Sequence, residues 1–259
     1  MSGRLGRRAV LQHAAVSGLA AGAGAIAGVG VSRATVPTGP HNTLAAGVGG
    51  WTGVGPQAIG VTWRVDTASR VLALTVDDGP DPRWTPRVLD LLGEYGARAT
   101  FFVCGRAAVR YPDLVRAAAT VGEVGNHSFT HPDLSRLPLS KVAEEVDRTH
   151  VVLAEILSAP PNLFRPPYGN VSGPVLCAAA RHGYRVVLWT DHLRDAGTTV
   201  TQDVDRLVAN AAPGRIILGH DGRGDRSGDV ARLGGVLRRL TAEGYTTVSF
   251  TGLNAAARA

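Results

Sequence analysis

Along most of this chain, short apolar runs alternate with longer segments of helical period, and that alternation limits the possible folds more than any other feature. From Val61 onward, runs at 71–76, 99–104, 123–126, 162–165, 185–189, 215–219 and 246–250 predict strands. Helix-like segments lie between them, and Val142, Val146, Thr149, Leu153 and Ile156 give the clearest stripe at helical spacing. Strands joined through helices pair in parallel by right-handed crossovers, with helices covering the sheet. Seven such units predict an α/β fold, most simply a closed barrel of parallel strands. An open doubly wound sheet is the alternative, but no dinucleotide fingerprint favours it. A chain of 259 residues with 44% hydrophobic content is long enough to bury one such core.

The first 60 residues stand outside that rhythm. Met1 to Arg8 is short and basic, His13 to Val31 is mostly Ala, Gly, Val, Ile and Leu, and Val31-Ser32-Arg33-Ala34 can precede a cleavage point. Residues 1–34 therefore read as an export signal. Arg7-Arg8-Ala9-Val10-Leu11 resembles the twin-arginine type, and the weakly apolar run that follows suits that route; ordinary secretion and an uncleaved anchor are the alternatives. Residues 35–60 are rich in Gly and Pro and read as a linker. This leaves 61–259 as a single domain. It is expected to be exported as a monomer to the cell envelope or beyond, with no stable membrane insertion after signal cleavage.

Net charge does not indicate a nucleic-acid partner. The formal charge is +6, but Arg4, Arg7, Arg8 and Arg33 belong to the signal, which contains no acid. With those four set aside from the 27 basic residues, 23 bases face 21 acids, and no basic cluster has interleaved aromatics. All the basic residues but Lys141 are arginine, which leaves little basis for Schiff-base chemistry. Cys104 and Cys177 both lie in apolar contexts and read as core residues rather than a disulfide.

Candidate chemistry gathers where the predicted strands end. Thr75-Val76-Asp77-Asp78-Gly79-Pro80 places two adjacent carboxylates at a Gly-Pro turn. Successive strand residues point to opposite sides, so one carboxylate can bind a metal while its neighbour accepts a proton. Taken alone, the stretch also reads as a solvated turn. His127 and His131 are four apart after the third strand, and a helical turn there would put both imidazoles on one face. Ser128 replaces the glutamate of the His-Glu-x-x-His metalloprotease helix, so the base must come from another segment. Two His plus one carboxylate make a plausible catalytic zinc set. Arg165-Pro166-Pro167-Tyr168-Gly169 ends the fourth strand, where Arg165 can hold a carboxylate. Trp189, followed by Asp191 and Asp195, ends the fifth, and Leu218-Gly219-His220 ends the sixth. In a barrel these ends share one face.

These five segments, in this order, resemble the motifs of the polysaccharide deacetylase family with the NodB homology domain, carbohydrate esterase family 4. The resemblance covers roughly residues 65–250. It implies a distorted (β/α)7 barrel and a metal-dependent deacetylase of acetylated sugars. Asp78, His127 and His131 would bind one divalent metal ion, in the first place Zn2+. Asp77 would be the general base toward water, Arg165 would orient it and keep it ionised, and His220 would be the general acid. The backbone N–H of Tyr168 would contribute to the oxyanion site, and Trp189 and Leu218 would enclose the acetyl methyl group. The fourth motif departs from the usual Trp-x-x-Asp-x-x-Asp-Trp. Trp189 and Asp195 fit, but His192 and Ala196 replace the first Asp and the last Trp. Asp191 is the nearest substitute as partner of His220, and the expectation is an active enzyme with altered substrate preference. A non-catalytic glycan-binding module on the same fold is the alternative.

Overall fold

The computed structural model describes residues 59–258, so the expected export signal and all but the end of the linker lie outside the described residues. The elements run β1 (Val61–Thr62), β2 (Val71–Asp77), α1 (Thr85–Glu94), β3 (Ala99–Val103), α2 (Gly105–Arg110), α3 (Pro112–Val121), β4 (Glu123–Asn126) and α4 (Leu139–Leu157). They continue with β5 (Leu163–Phe164), α5 (Gly173–Arg181), β6 (Arg185–Val187), β7 (Asp191–His192), α6 (Val200–Ala209), β8 (Ile216–His220), α7 (Ser227–Ala242), β9 (Thr246–Val248) and α8 (Phe250–Ala256). Helix starts follow local chemistry. Proline occupies the first turn of α1, α3 and α5, where its missing N–H costs nothing, and α6 opens with a Thr199–Gln202 capping box.

Every strand pairing is parallel, in the order β1-β6-β5-β4-β3-β2-β8-β7, with β9 beside the start of β2. The expected fifth strand, 185–189, is broken. β6 pairs with β5; the chain then crosses through Thr190, whose N–H donates to Ile216 O at 2.9 Å, and β7 pairs with β8. One run of chain thus reaches both flanks of the curled sheet, which makes the barrel a distorted one. β1 is an additional strand, and Arg64 just after it forms an antiparallel bridge with Arg215.

The period-2 pattern of β2 sorts its side chains between two cores. Leu72, Leu74 and Val76 face outward onto a cluster with Val88 and Leu92 of α1, Val115 of α3 and Leu233 and Val236 of α7. Ala73 faces inward with Phe102, Leu163, Val187 and Ile216, and Phe250 and Leu253 of α8 pack beneath them. The inward row therefore reads Ala73, Thr75, Asp77, passing from apolar to acidic toward the carboxyl end of the strand. In register with Asp77 lie Phe102 on β3 and His220 on β8. The α4 stripe is buried as expected at Val142, Val146, Thr149 and Leu153. Cys104 and Cys177 are free. No helix among the described residues is long and apolar enough to cross a membrane.

Candidate active site

Asp77 ends β2 on its inward face. Had the strand continued, Asp78 would point outward, the arrangement expected from alternation. Instead Asp78 takes a left-handed backbone (φ 79°), which returns its carboxylate to the same side. His127 Nε2 lies 3.6 Å from Asp77 Oδ2 and 3.8 Å from Asp78 Oδ1, with all three residues buried.

The two histidines converge for a different reason from the one expected. Residues 127–133 form no helix; two left-handed residues, Ser128 (φ 64°) and His131 (φ 64°), fold the loop back. Glu145 of α4 pins it by accepting from the N–H groups of Phe129 and Thr130 and from the Thr130 hydroxyl. Asn126 Oδ1 accepts from Ser128 N–H, and Ser128 Oγ accepts from His131 N–H. His127 donates from Nδ1 to Arg165 O at 2.7 Å, leaving Nε2 bare toward the carboxylates. Burial lowers the His127 pKa against the pull of Asp77 and Asp78, which favours the neutral ring a metal needs. Burial also works to raise the pKa of Asp78, but His131, His127 and His220 hold it at about 2.

Arg165 is fully buried and has four acceptors. Its Nη1 donates to Asp77 Oδ1 at 2.7 Å and to Thr75 Oγ1 at 2.8 Å, while Nε and Nη2 reach the carbonyls of Val187 and Leu188. The guanidinium lies over the Phe102 ring, so the Asp77 carboxylate is held from below in one orientation. Tyr168 adopts φ 62° at the rim with its ring edge-on to His131, 4.8 Å between centroids. A Cβ on the next residue, Gly169, would come within 2.7 Å of the Trp189 ring, so only glycine lets this turn approach the indole.

The altered fourth motif resolves differently from expectation. Asp191 does not serve His220: both its oxygens are taken by Arg215, at 2.6 and 2.8 Å. Asp195 pairs with Arg206 at 2.9 Å and does not line the cavity. His192 does line it, and its Nε2 accepts from the Trp189 indole at 2.6 Å. The acid beside His220 comes from α7, where the buried Asp229 places Oδ1 3.6 Å from Nδ1. Burial acts to lower the His220 pKa, but Asp229, Asp77 and Asp78 together raise it. Nor did the sequence indicate Arg226, whose Nη2 donates to Asp78 Oδ2 at 2.8 Å. The only local hint was the alternation of charges after His220-Asp221, an ordinary loop-and-helix-start pattern.

A cavity of about 430 Å³ opens over these groups, lined by Asp77, Asp78, His127, His131, Tyr168, Trp189, Leu218 and His220 among others. The donor set fits a divalent cation. Ligand atoms of Asp78, His127 and His131 all lie within 4.8 Å of one another, and all three residues are buried. Asp78 Oδ1 is buried with no hydrogen-bond partner, although His131 Nε2 is 3.1 Å away. An unpaired carboxylate oxygen between two imidazoles, with Arg226 neutralising the other oxygen, is a ligand set for a metal in search of nitrogen and oxygen donors.

Known proteins similar to this chain include deacetylases. A family model described as polysaccharide deacetylase matches residues 64–187. A peptidoglycan-N-acetylglucosamine deacetylase of Bacillus cereus is 40% identical over 197 residues, covering 74% of this chain and 92% of the relative. A chitooligosaccharide deacetylase of Bradyrhizobium is 40% identical over 159 residues, covering 60% of this chain and 73% of the relative. Among solved structures, a peptidoglycan N-acetylglucosamine deacetylase in complex with 4-naphthalen-1-yl-N-oxidanyl-benzamide superposes with a TM-score of 0.71 at 28% identity, over 75% of this chain and 92% of the other.

Proposed function

This chain belongs to the polysaccharide deacetylase family of hydrolases, and on that premise we propose that it works with one divalent metal ion on an acetylated glycan of the peptidoglycan or chitin type. The observation that carries the proposal is the meeting of Asp78, His127 and His131 beside Asp77, with His220 in register across the same face. An ion bound by that triad, in the first place zinc, would polarise the acetyl carbonyl and lower the pKa of water.

The other roles fall to side chains already in position. Asp77, which lines the cavity with Oδ1 held by Arg165 and Oδ2 3.6 Å from His127 Nε2, accepts the proton from the attacking water. His220, whose pKa is raised against the effect of burial by Asp229, Asp77 and Asp78 so that the protonated ring is favoured, donates to the departing nitrogen, since an amide nitrogen leaves poorly until protonated. The Tyr168 N–H stabilises the developing oxyanion, and Trp189 and Leu218 enclose the methyl group. The names of the relatives favour a cell-envelope substrate and hence export, the role expected for residues 1–34. The test is acetate release from a panel of N- and O-acetylated glycans by zinc-loaded and chelated protein. Release that disappears on chelation supports the proposal; glycan retention without any release would favour a non-catalytic binding module.

A further inference from the structure

A second cavity, of about 530 Å³, adjoins the first and shares Asp78 and Arg223 with it. Its wall is basic. Arg106 and Arg110 stand one turn apart on α2, and Arg223 reaches in from the loop after β8. Among the described residues, Arg106 and Arg110 make no ion pair with a carboxylate; Arg110 lies over the Tyr111 ring instead. Arg223 approaches an acid only at 4.0 Å, at Asp78 Oδ1. The two acids on the wall are already engaged, Asp81 by Arg83 and Asp78 by Arg226. Positive charge is therefore left uncompensated beside the acetyl site.

The loop that delivers Arg223 is tightly constrained. Arg223 itself is left-handed (φ 59°), and a Cβ on Gly222 would come within 2.3 Å of the Asp78 carbonyl oxygen. A non-glycine residue persists in that conformation only where its surroundings hold it there, and such residues cluster at ligand sites. We infer that this second cavity binds an anionic group, a carboxylate or a phosphate, on a sugar next to the one being deacetylated. Guanidinium forks match both oxyanions. The substrate class becomes an acidic acetylated glycan, a statement that rests on the deacetylase proposal above.

The test compares N-acetylglucosamine oligomers that are neutral, that carry lactyl carboxylates on the neighbouring sugar, or that carry phosphate there. Acetate release and calorimetric binding are measured for the wild type, for Arg106→Gln and Arg110→Gln, and for the double variant. The wild type should favour an anionic oligomer by about tenfold or more in kcat/KM, roughly one strong charged contact. The double variant should lose that preference with its rate on the neutral oligomer unchanged, and the anion giving the larger preference identifies the ligand. Raised salt should erode the preference, because these arginines are solvent-facing. No preference in the wild type, or equal losses on neutral and charged oligomers, overturns the inference. If no oligomer releases acetate, the deacetylase proposal fails on its own. Calorimetry then decides the cavity: tighter anionic binding that the double variant loses supports it, and equal binding overturns it.

Discussion

Arg226 and Asp78 meet across two segments 148 residues apart, with the guanidinium Nη2 2.8 Å from Asp78 Oδ2. That contact leaves Oδ1 facing His127 and His131. Groups that orient a metal ligand from behind commonly affect affinity by about 10–100-fold, so Arg226→Ala should weaken zinc binding to that extent. Competition with a chromogenic chelator measures it, and unchanged affinity would mean that Asp78 is oriented by other groups.

Asp77→Asn should abolish acetate release while zinc content and the unfolding transition stay near wild type. The loss expected for a proton acceptor is about 10²–10⁴-fold. Retention of most of the activity would remove Asp77 from the base role and leave it a partner of Arg165.

The raised pKa of His220 has a definite sign. A histidine with a raised folded pKa keeps its proton to higher pH, so an acid step that depends on it fails only as pH rises through that value. Asp229→Asn removes one of the groups that raise it, and the alkaline limb of kcat/KM should move to lower pH. A limb that stays in place in Asp229→Asn would leave Asp229 with a packing role alone.

Asp221, adjacent to His220, is buried and accepts from Thr85, yet burial and the charges of Asp78 and Asp77 push its pKa up to about 7. Because the folded state favours the protonated acid, the metal-free protein should lose stability as pH rises from about 4 toward 7 and then level off. The slope approaches about 1.4 kcal/mol per pH unit at most. Chemical denaturation of Asp221→Asn should show a much shallower loss over that window. An identical slope would assign the pH dependence to other groups.

Much of the chemistry was legible because strand periodicity and strand ends are local properties. Leu72, Leu74 and Val76 alternate with Ala73, Thr75 and Asp77, and that alternation alone separates an outer apolar row from an inner row ending in an acid. His127, Arg165 and His220 follow the same logic, each at or directly after the last residue of its strand, while His131 lies farther along the loop after β4. Strand boundaries were less secure. The 162–165 run pairs only at Leu163 and Phe164, and Phe250 opens a helix rather than ending a strand, its N–H bonded to Thr100 Oγ1.

What the sequence by itself determined is the parallel α/β class and the identity of the groups at the strand ends, since both follow from residue type and spacing along one segment. Only the tertiary structure decided how those groups face one another. Alternation would have sent Asp78 outward, but the left-handed turn there brings it inward. Helical spacing would have aligned the histidines, but Glu145 on another helix holds the loop that does so. Its place one residue before the motif position held by His192 favoured Asp191 as the partner of His220, yet Arg215 claims it and Asp229 arrives from α7. The last two cases turn on contacts between separate elements, Glu145 with the backbone of the histidine loop and Arg215 and Asp229 with the side chains of Asp191 and His220. The electrostatics of such a contact depend on distances of 3–4 Å that no single segment encodes.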